Sequence, residues 1–230
     1  MTRATDNPRL ALLAAAEEQL AASPDGDIAT RAVCEAVGVT QPVLYRIFGD
    51  KRGLLDALAD AGLERYTARK AELEVSDDPV ADLRAGWGDH LAFAAEHPAL
   101  YQLMFTPRPW ASVRAREGVS ALLESTLTRC AAAGALRVSV DVAATVLLSA
   151  NIGLAMNRIA EPGRFGRASV SDALRDAVFA FILTGVASAP AAPAAASVSQ
   201  QLRAQLRISP PEELSAEEAA LLNVWLARLN

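Results

Sequence analysis

The stretch Val39-Thr-Gln-Pro-Val-Leu-Tyr-Arg-Ile-Phe-Gly-Asp-Lys51 interleaves apolar anchors with a glutamine, a tyrosine, an arginine and a lysine, inside a chain otherwise acidic and rich in alanine. Gly38, just before it, marks a turn, because glycine adopts the left-handed conformation at little cost. Thr40 stands as N-cap of a short helix, and Pro42 is tolerated in the first turn because those amides have no intrahelical partner. Val39, Leu44, Ile47 and Phe48 are read as core, and Gly49-Asp50 closes the helix. The polar side chains are left on the other side.

Working outward, Leu10, Leu13, Ala16 and Leu20 put one apolar stripe on a first helix that stops at Ser23-Pro24-Asp25-Gly26. A second helix runs from about Ile28 to Val37, with Val33 and Ala36 inward and Asp27 as its cap. Two short helices joined by a glycine turn, the second with exposed polar residues, form a helix-turn-helix, whose second helix enters a DNA major groove. Between Ile28 and Gly53 the cations are Arg31, Arg46, Lys51 and Arg52, against Glu35 and Asp50. The net charge of the 230 residues is −5, so a positive face here is local, and the chain as a whole is not built to coat nucleic acid.

The run Ala36-Val-Gly-Val-Thr-Gln-Pro-Val-Leu-Tyr-Arg-Ile-Phe-Gly-Asp-Lys-Arg-Gly-Leu-Leu55 resembles the DNA-binding signature of the TetR family of bacterial transcriptional regulators, and the match extends in motif order over Leu10 to Leu58. The resemblance implies a homodimer on a palindromic double-stranded DNA operator, released by a small-molecule effector, and most often a repressor. It places Tyr45 and Lys51 on the operator backbone. Thr40 caps its helix and offers its hydroxyl to phosphate or base. Gln41 faces adenine; Arg46 faces phosphate or guanine, or is a solvated charge. Arg31 either touches backbone or is solvated, and Pro42 joins the DNA-facing set. Ala29 and Pro42 depart from the usual pattern, which bears on the base contacts and leaves the fold expectation intact.

Beyond this segment the periodicity stays helical, which gives an all-α chain: an N-terminal three-helix helix-turn-helix domain over 1–50 and a larger helical ligand-binding and dimerisation domain over 51–187. Helices are expected from about Lys51, from Pro79 to Glu96, from Pro98, from Trp110 to Ala133, from Val140 to Ile159 and from Val170 to Ala187, with Glu161 to Arg167 as a connection. An Ala/Pro-rich linker follows over 188–199. A C-terminal helical extension over 200–230 carries a short helix near Gln200 to Leu206 and a last one opened by a capping box at Ser215-Ala-Glu-Glu218. Leu221, Leu222, Trp225 and Leu229 share one face there, free to dock on their own domain, to reach across a dimer or to cover a cavity.

A 52% hydrophobic chain with 21% charge has enough apolar surface for a sizeable core. Candidates to line an effector cavity, itself apolar with a few convergent polar groups, are Trp87, His90, Tyr101, Met104, Phe105, Trp110 and Asn151. The effector is then apolar or amphipathic. The helices from Val140 and Val170 are apolar over more than one stripe, which suits a four-helix bundle shared by two subunits. Asn151 either fixes register between them or bonds within one subunit.

Cys34 and Cys130 are expected as small buried hydrophobes in a reducing compartment. The N-terminus lacks the apolar core of a signal peptide, and the apolar run Val142 to Met156 is shorter than a bilayer span, so the expectation is a cytoplasmic protein without a membrane partner. The competing reading as an enzyme rests on His90 and Glu96. It has no GxSxG, HExxH, phosphate loop or CxxC pair behind it, and His90 and His97 lack a third ligand at metal spacing, so neither cofactor nor metal is expected. A helical adaptor working through the Leu221-Trp225-Leu229 face is the third reading.

Overall fold

The computed structural model describes residues 7–23, 26–106, 114–185, 194–208, 211 and 213–228. Trp110 and Leu229 lie outside them. Among the described residues every named element is a helix, and the only strand-like pairing is an isolated antiparallel bridge between Leu136 and Leu183. The chain divides into two compact units, 1–186 and 187–230.

In the first unit, α1 (Pro8–Ala22) starts where the Asn7 side chain accepts from the amides of Arg9 and Leu10. Leu12, Leu13, Ala16 and Leu20 are buried, but Leu10, expected in the stripe, is 60% exposed. It lies in the first turn of the helix. α2 (Thr30–Val37) and α3 (Gln41–Phe48) are joined by Gly38 at φ 73°. α2 turns Val33 and Cys34 inward, whereas Ala36 is exposed, so alanine there marked helix propensity and not a buried face. Two expected caps are absent. Ala29 is the N-cap of α2 and its methyl side chain has no acceptor to offer; Asp27, expected in that role, stands two residues earlier and pairs with Lys51. Thr40 is the N-cap of α3, yet its side chain bonds none of that helix's amides. Leu44 is fully buried, with Val39, Ile47 and Phe48 packed beside it.

Asp50 opens α4 (Lys51–Ala71) by accepting from the Gly53 amide at 2.8 Å. α4 packs against α3 at its start, where Gly53 meets Phe48, against α1 as far along as Arg65, which bonds Glu17, and against α5 (Pro79–Glu96), α6 (Pro98–Phe105) and α7 (Arg114–Ala132). One rigid helix thus belongs to both the helix-turn-helix and the larger bundle. α5 is capped by Asp78, and His97 breaks the chain between α5 and α6.

α8 (Val140–Ala160) has 21 residues, one beyond the helix expected from Val140 to Ile159, and is long and apolar enough as a whole to cross a bilayer, although its most apolar run, Val142 to Met156, is shorter than a span. It is a bundle helix here: Ala143, Leu147, Asn151 and Leu154 are buried, and it packs on α5 and α7. The connection after it contains a one-turn helix, α9 (Pro162–Phe165), with proline at its first position. α10 (Ala168–Ile182) ends by docking back on the α7–α8 turn: Arg137 N–H donates to the Ile182 carbonyl at 2.8 Å and Thr184 N–H to the Ala135 carbonyl at 2.9 Å. Cys34 and Cys130 are buried and free, and burial pushes both thiols up.

The second unit is a helical pair, α11 (Ala194–Ile208) and α12 (Ala216–Ala227). α11 begins inside the stretch expected as linker, because the alanines after Pro193 are the strongest helix formers and proline is accepted at a helix start. Ser215 and Glu218 form the capping box of α12. Arg203 donates to the Asn223 side chain at 2.8 Å, tying the two helices, and Trp225 remains 54% exposed.

Candidate nucleic-acid interface and effector cavity

α3 is an eight-residue helix held by one fully buried anchor, Leu44, so the faces away from it are turned outward. Pro42, Tyr45 and Arg46 are exposed, Gln41 is half-buried, and Thr40 is exposed at its start. The Thr30 hydroxyl of α2, a residue the sequence reading passed over, lies between two of them. Gln41 Nε2 donates to Thr30 Oγ1 at 3.3 Å, and the Tyr45 hydroxyl is 3.5 Å from the same oxygen. A single hydroxyl therefore steadies both side chains against α2, which lowers the rotamer freedom they would lose on contact.

The cations around α3 are partly matched. Arg31 Nε bonds Glu35 at 2.8 Å one turn on, both well exposed, an arrangement that contributes little to stability. Lys51 Nζ lies 2.5 Å from Asp27 Oδ1, and that contact, then the Ile28 amide, holds the Asp27 carboxyl below its ordinary range. A lysine at the first position of α4 faces the positive end of the helix dipole, so a counter-anion belongs there. The exposed Asp27 supplies it and a phosphate oxygen has the same chemistry.

Gly53 was not singled out from the sequence, although the space around it explains its residue type. A Cβ built there falls 1.9 Å from the backbone carbonyl oxygen of Phe48. Only glycine lets the last turn of α3 sit this close to the first turn of α4.

The larger domain holds a partly open cavity of about 590 Å³ between the C-terminal end of α4, α5, α7 and α8. That volume is in the range of small-molecule sites. Leu83, Trp87, Val119, Leu122, Leu123 and Leu147 supply apolar wall. Trp87, His90 and Asn151, three of the residues singled out from the sequence, come together there; Tyr101, Met104 and Phe105 pack behind it in the α4–α5–α6 core. Tyr66, Lys70 and Arg129 also line it and were not anticipated.

The polar groups of the wall are largely bonded to one another. His90 is buried between two tyrosines, with Nδ1 2.7 Å from the Tyr66 hydroxyl and Nε2 2.6 Å from that of Tyr101. Burial, with the nearby Lys70 cation, pulls the imidazole down to about 3, so it is neutral, with one ring nitrogen donating and the other accepting. Burial pushes both phenols up. Lys70 donates to the Gly86 carbonyl at 2.6 Å and pairs with Asp89 at 2.9 Å. Burial lowers the Lys70 pKa against the pull of Asp89. Burial pushes the Asp89 carboxyl up, but its bonds to Lys70 and Arg69 outweigh that and hold it below the usual range. Arg69 also reaches Glu96, so α4 and α5 are clamped together. Arg129 of α7 bonds Asp82 at 2.6 Å and the Ser76 carbonyl. Asn151 Nδ2 donates to the Trp87 carbonyl at 3.4 Å, a bond within the chain, and Trp87 Nε1 donates to Ser171 of α10 at 3.2 Å.

Residues 12–58 match the family model described as bacterial regulatory proteins, tetR family, and residues 83–186 match that of a tetracyclin repressor-like C-terminal domain. No curated protein matches the chain. Among solved structures, one of a protein with unknown function from Rhodococcus sp. RHA1 is 30% identical at a TM-score of 0.62, over 75% of this chain and 92% of that one. SmeT, the repressor of the Stenotrophomonas maltophilia multidrug efflux pump SmeDEF, is 21% identical at 0.61, over 83% and 97%. The transcriptional regulator FadR from Bacillus subtilis, in complex with stearoyl-CoA, is 14% identical at 0.60, over 74% and 97%. The latter two likenesses are of fold.

Proposed function

This chain belongs to the tetR family of bacterial regulatory proteins, and from that premise we propose that it is a repressor that binds a palindromic operator as a homodimer and is released by a small molecule. The observation that carries the reading is the outward face of α3, with Pro42, Tyr45 and Arg46 exposed around the buried Leu44. Arg31, Thr40, Gln41, Pro42, Tyr45, Arg46 and Lys51 form the DNA-facing set. Tyr45 and Lys51 hold phosphates and fix register, while Gln41 and Arg46 are placed to read base edges. The protein acts in the cytoplasm on chromosomal DNA and carries out no chemistry on its ligand.

Dimerisation uses α8 and α10. Val142 and Phe181 are large apolar side chains left exposed on these helices, and a second copy would bury them in a four-helix bundle. The two α3 helices must then reach successive major grooves, roughly 34 Å apart.

Release follows from α4, which packs on α3 at its start and contributes Tyr66, Lys70 and Ala71 to the cavity at its other end. An apolar or amphipathic effector that favours one placement of α4 over another changes the gap between the recognition helices; equal affinity for both would shift nothing. The reading is tested by sequencing the genomic DNA retained by the purified full chain. It requires an inverted repeat with half-sites about one helical turn apart, and retention without any repeat overturns it.

A further inference from the structure

Asn151 differs from the other polar groups of the cavity wall. It is 2% exposed, its Nδ2 is committed to the Trp87 carbonyl, and its Oδ1 has no hydrogen-bond partner. The Trp87 carbonyl can only accept, so the amide's orientation is set and the oxygen is the atom left over. A buried acceptor without a partner is costly, and native proteins keep one where something else supplies the donor. The charged and aromatic polar side chains set into the wall are already taken, Lys70 by Asp89 and Gly86, Arg129 by Asp82, and His90 by Tyr66 and Tyr101, while the further charged lining residue, Glu74, is exposed in the loop after α4. An anion entering the cavity would have to break one of those ion pairs, and a cation would find Asp82 and Asp89 occupied and only the exposed Glu74, at the rim, left to meet it.

We propose that the cavity takes an uncharged, mainly apolar molecule bearing a hydroxyl or N–H donor, and that Asn151 Oδ1 is the acceptor that selects it. The inference rests on the reading of this cavity as the effector site and adds the ligand's polar chemistry to it. The walls made by Leu83, Val119, Leu122, Leu123 and Leu147 accept the hydrocarbon body. Asn151 then rejects an analogue that presents only an acceptor, since two lone pairs would face each other at a buried oxygen.

The test is calorimetric titration of the full chain with three ten-carbon probes, n-decanol, methyl octyl ketone and decanoate, each also assayed for release of bound DNA. The alcohol is expected to bind about tenfold more tightly than the ketone, a ratio that falls to about one in Asn151→Leu, which keeps the side-chain volume and removes the acceptor. Should that variant fail to fold, the wild-type ratio decides alone. Equal binding of alcohol and ketone, tightest binding of decanoate, or selectivity that survives in Asn151→Leu overturns the proposal. If alcohol and ketone bind equally and both release DNA, the effector reading stands and this inference alone falls. If none of the three binds, both fall.

Discussion

The Lys51 ammonium lies 2.5 Å from the Asp27 carboxylate, an acid 24 positions earlier in the chain, so the cation assigned to an operator phosphate already holds an anion before DNA arrives. Both side chains are substantially exposed, so the pair does little for stability and acts mainly as a competitor for phosphate. Asp27→Asn is expected to tighten operator binding about threefold to tenfold at low salt, with the gain shrinking as salt screens the carboxylate. Fluorescence anisotropy on labelled operator at two salt concentrations measures it; weaker or unchanged binding would argue that Lys51 does not reach DNA.

Gly53→Ala is expected to destabilise the chain by about 3 kcal/mol, the upper end of ordinary overpacking, because the new Cβ would fall 1.9 Å from the Phe48 carbonyl oxygen, a backbone atom that cannot swing aside. Urea unfolding followed by circular dichroism measures the loss. Since α3 must shift off α4 to make room, DNA binding should fall further than the lost stability explains.

His90 makes stability depend on pH. The folded imidazole titrates at about 3 and the unfolded one near its ordinary 6.5, so protonation favours the unfolded chain. The contribution is complete above about pH 6.5 and is lost as pH falls toward 3. Between pH 7 and pH 5 it amounts to about 2 kcal/mol. His90→Gln keeps a donor and an acceptor between Tyr66 and Tyr101 and should flatten that segment of the stability profile. An unaltered slope in the variant would mean that His90 is not the group responsible.

Phe181 is 51% exposed on α10, and Phe181→Glu is expected to put a charge into the proposed subunit interface. Sedimentation should show the wild type as a dimer and the variant shifted to monomer by at least tenfold in dissociation constant. A variant that stays as dimeric as the wild type would move the interface elsewhere.

The helices with strong period and punctuation were legible in the sequence. Pro79 and Pro98 mark starts, Gly38 marks a turn at positive φ, and Ser215 with Glu218 forms its capping box. What escaped was set by contacts remote in the chain or by features too small to have a period. α9 is four residues long, and the alanines from Ala194 belong to a helix although their Pro-rich neighbours suggested a linker. Asp27 looks like a cap until Lys51 claims it. Thr30 has no motif of its own, yet its hydroxyl meets Gln41 and Tyr45. The cavity is contributed by four separate helices and the loop after α4, so its aromatic and polar residues could be guessed by type but not sorted into wall and core.

The central claim is that α3 and the start of α4 present Tyr45 and Lys51 to the backbone of duplex DNA. The salt dependence of operator affinity tests it most directly, measured on the wild type, Lys51→Ala and Tyr45→Phe. Two lost lysine contacts per dimer should make the Lys51→Ala slope of log K against log salt shallower by about 2, and Tyr45→Phe should weaken binding across operator sequences with little change in slope. Affinities and slopes that match the wild type in both variants would contradict the claim.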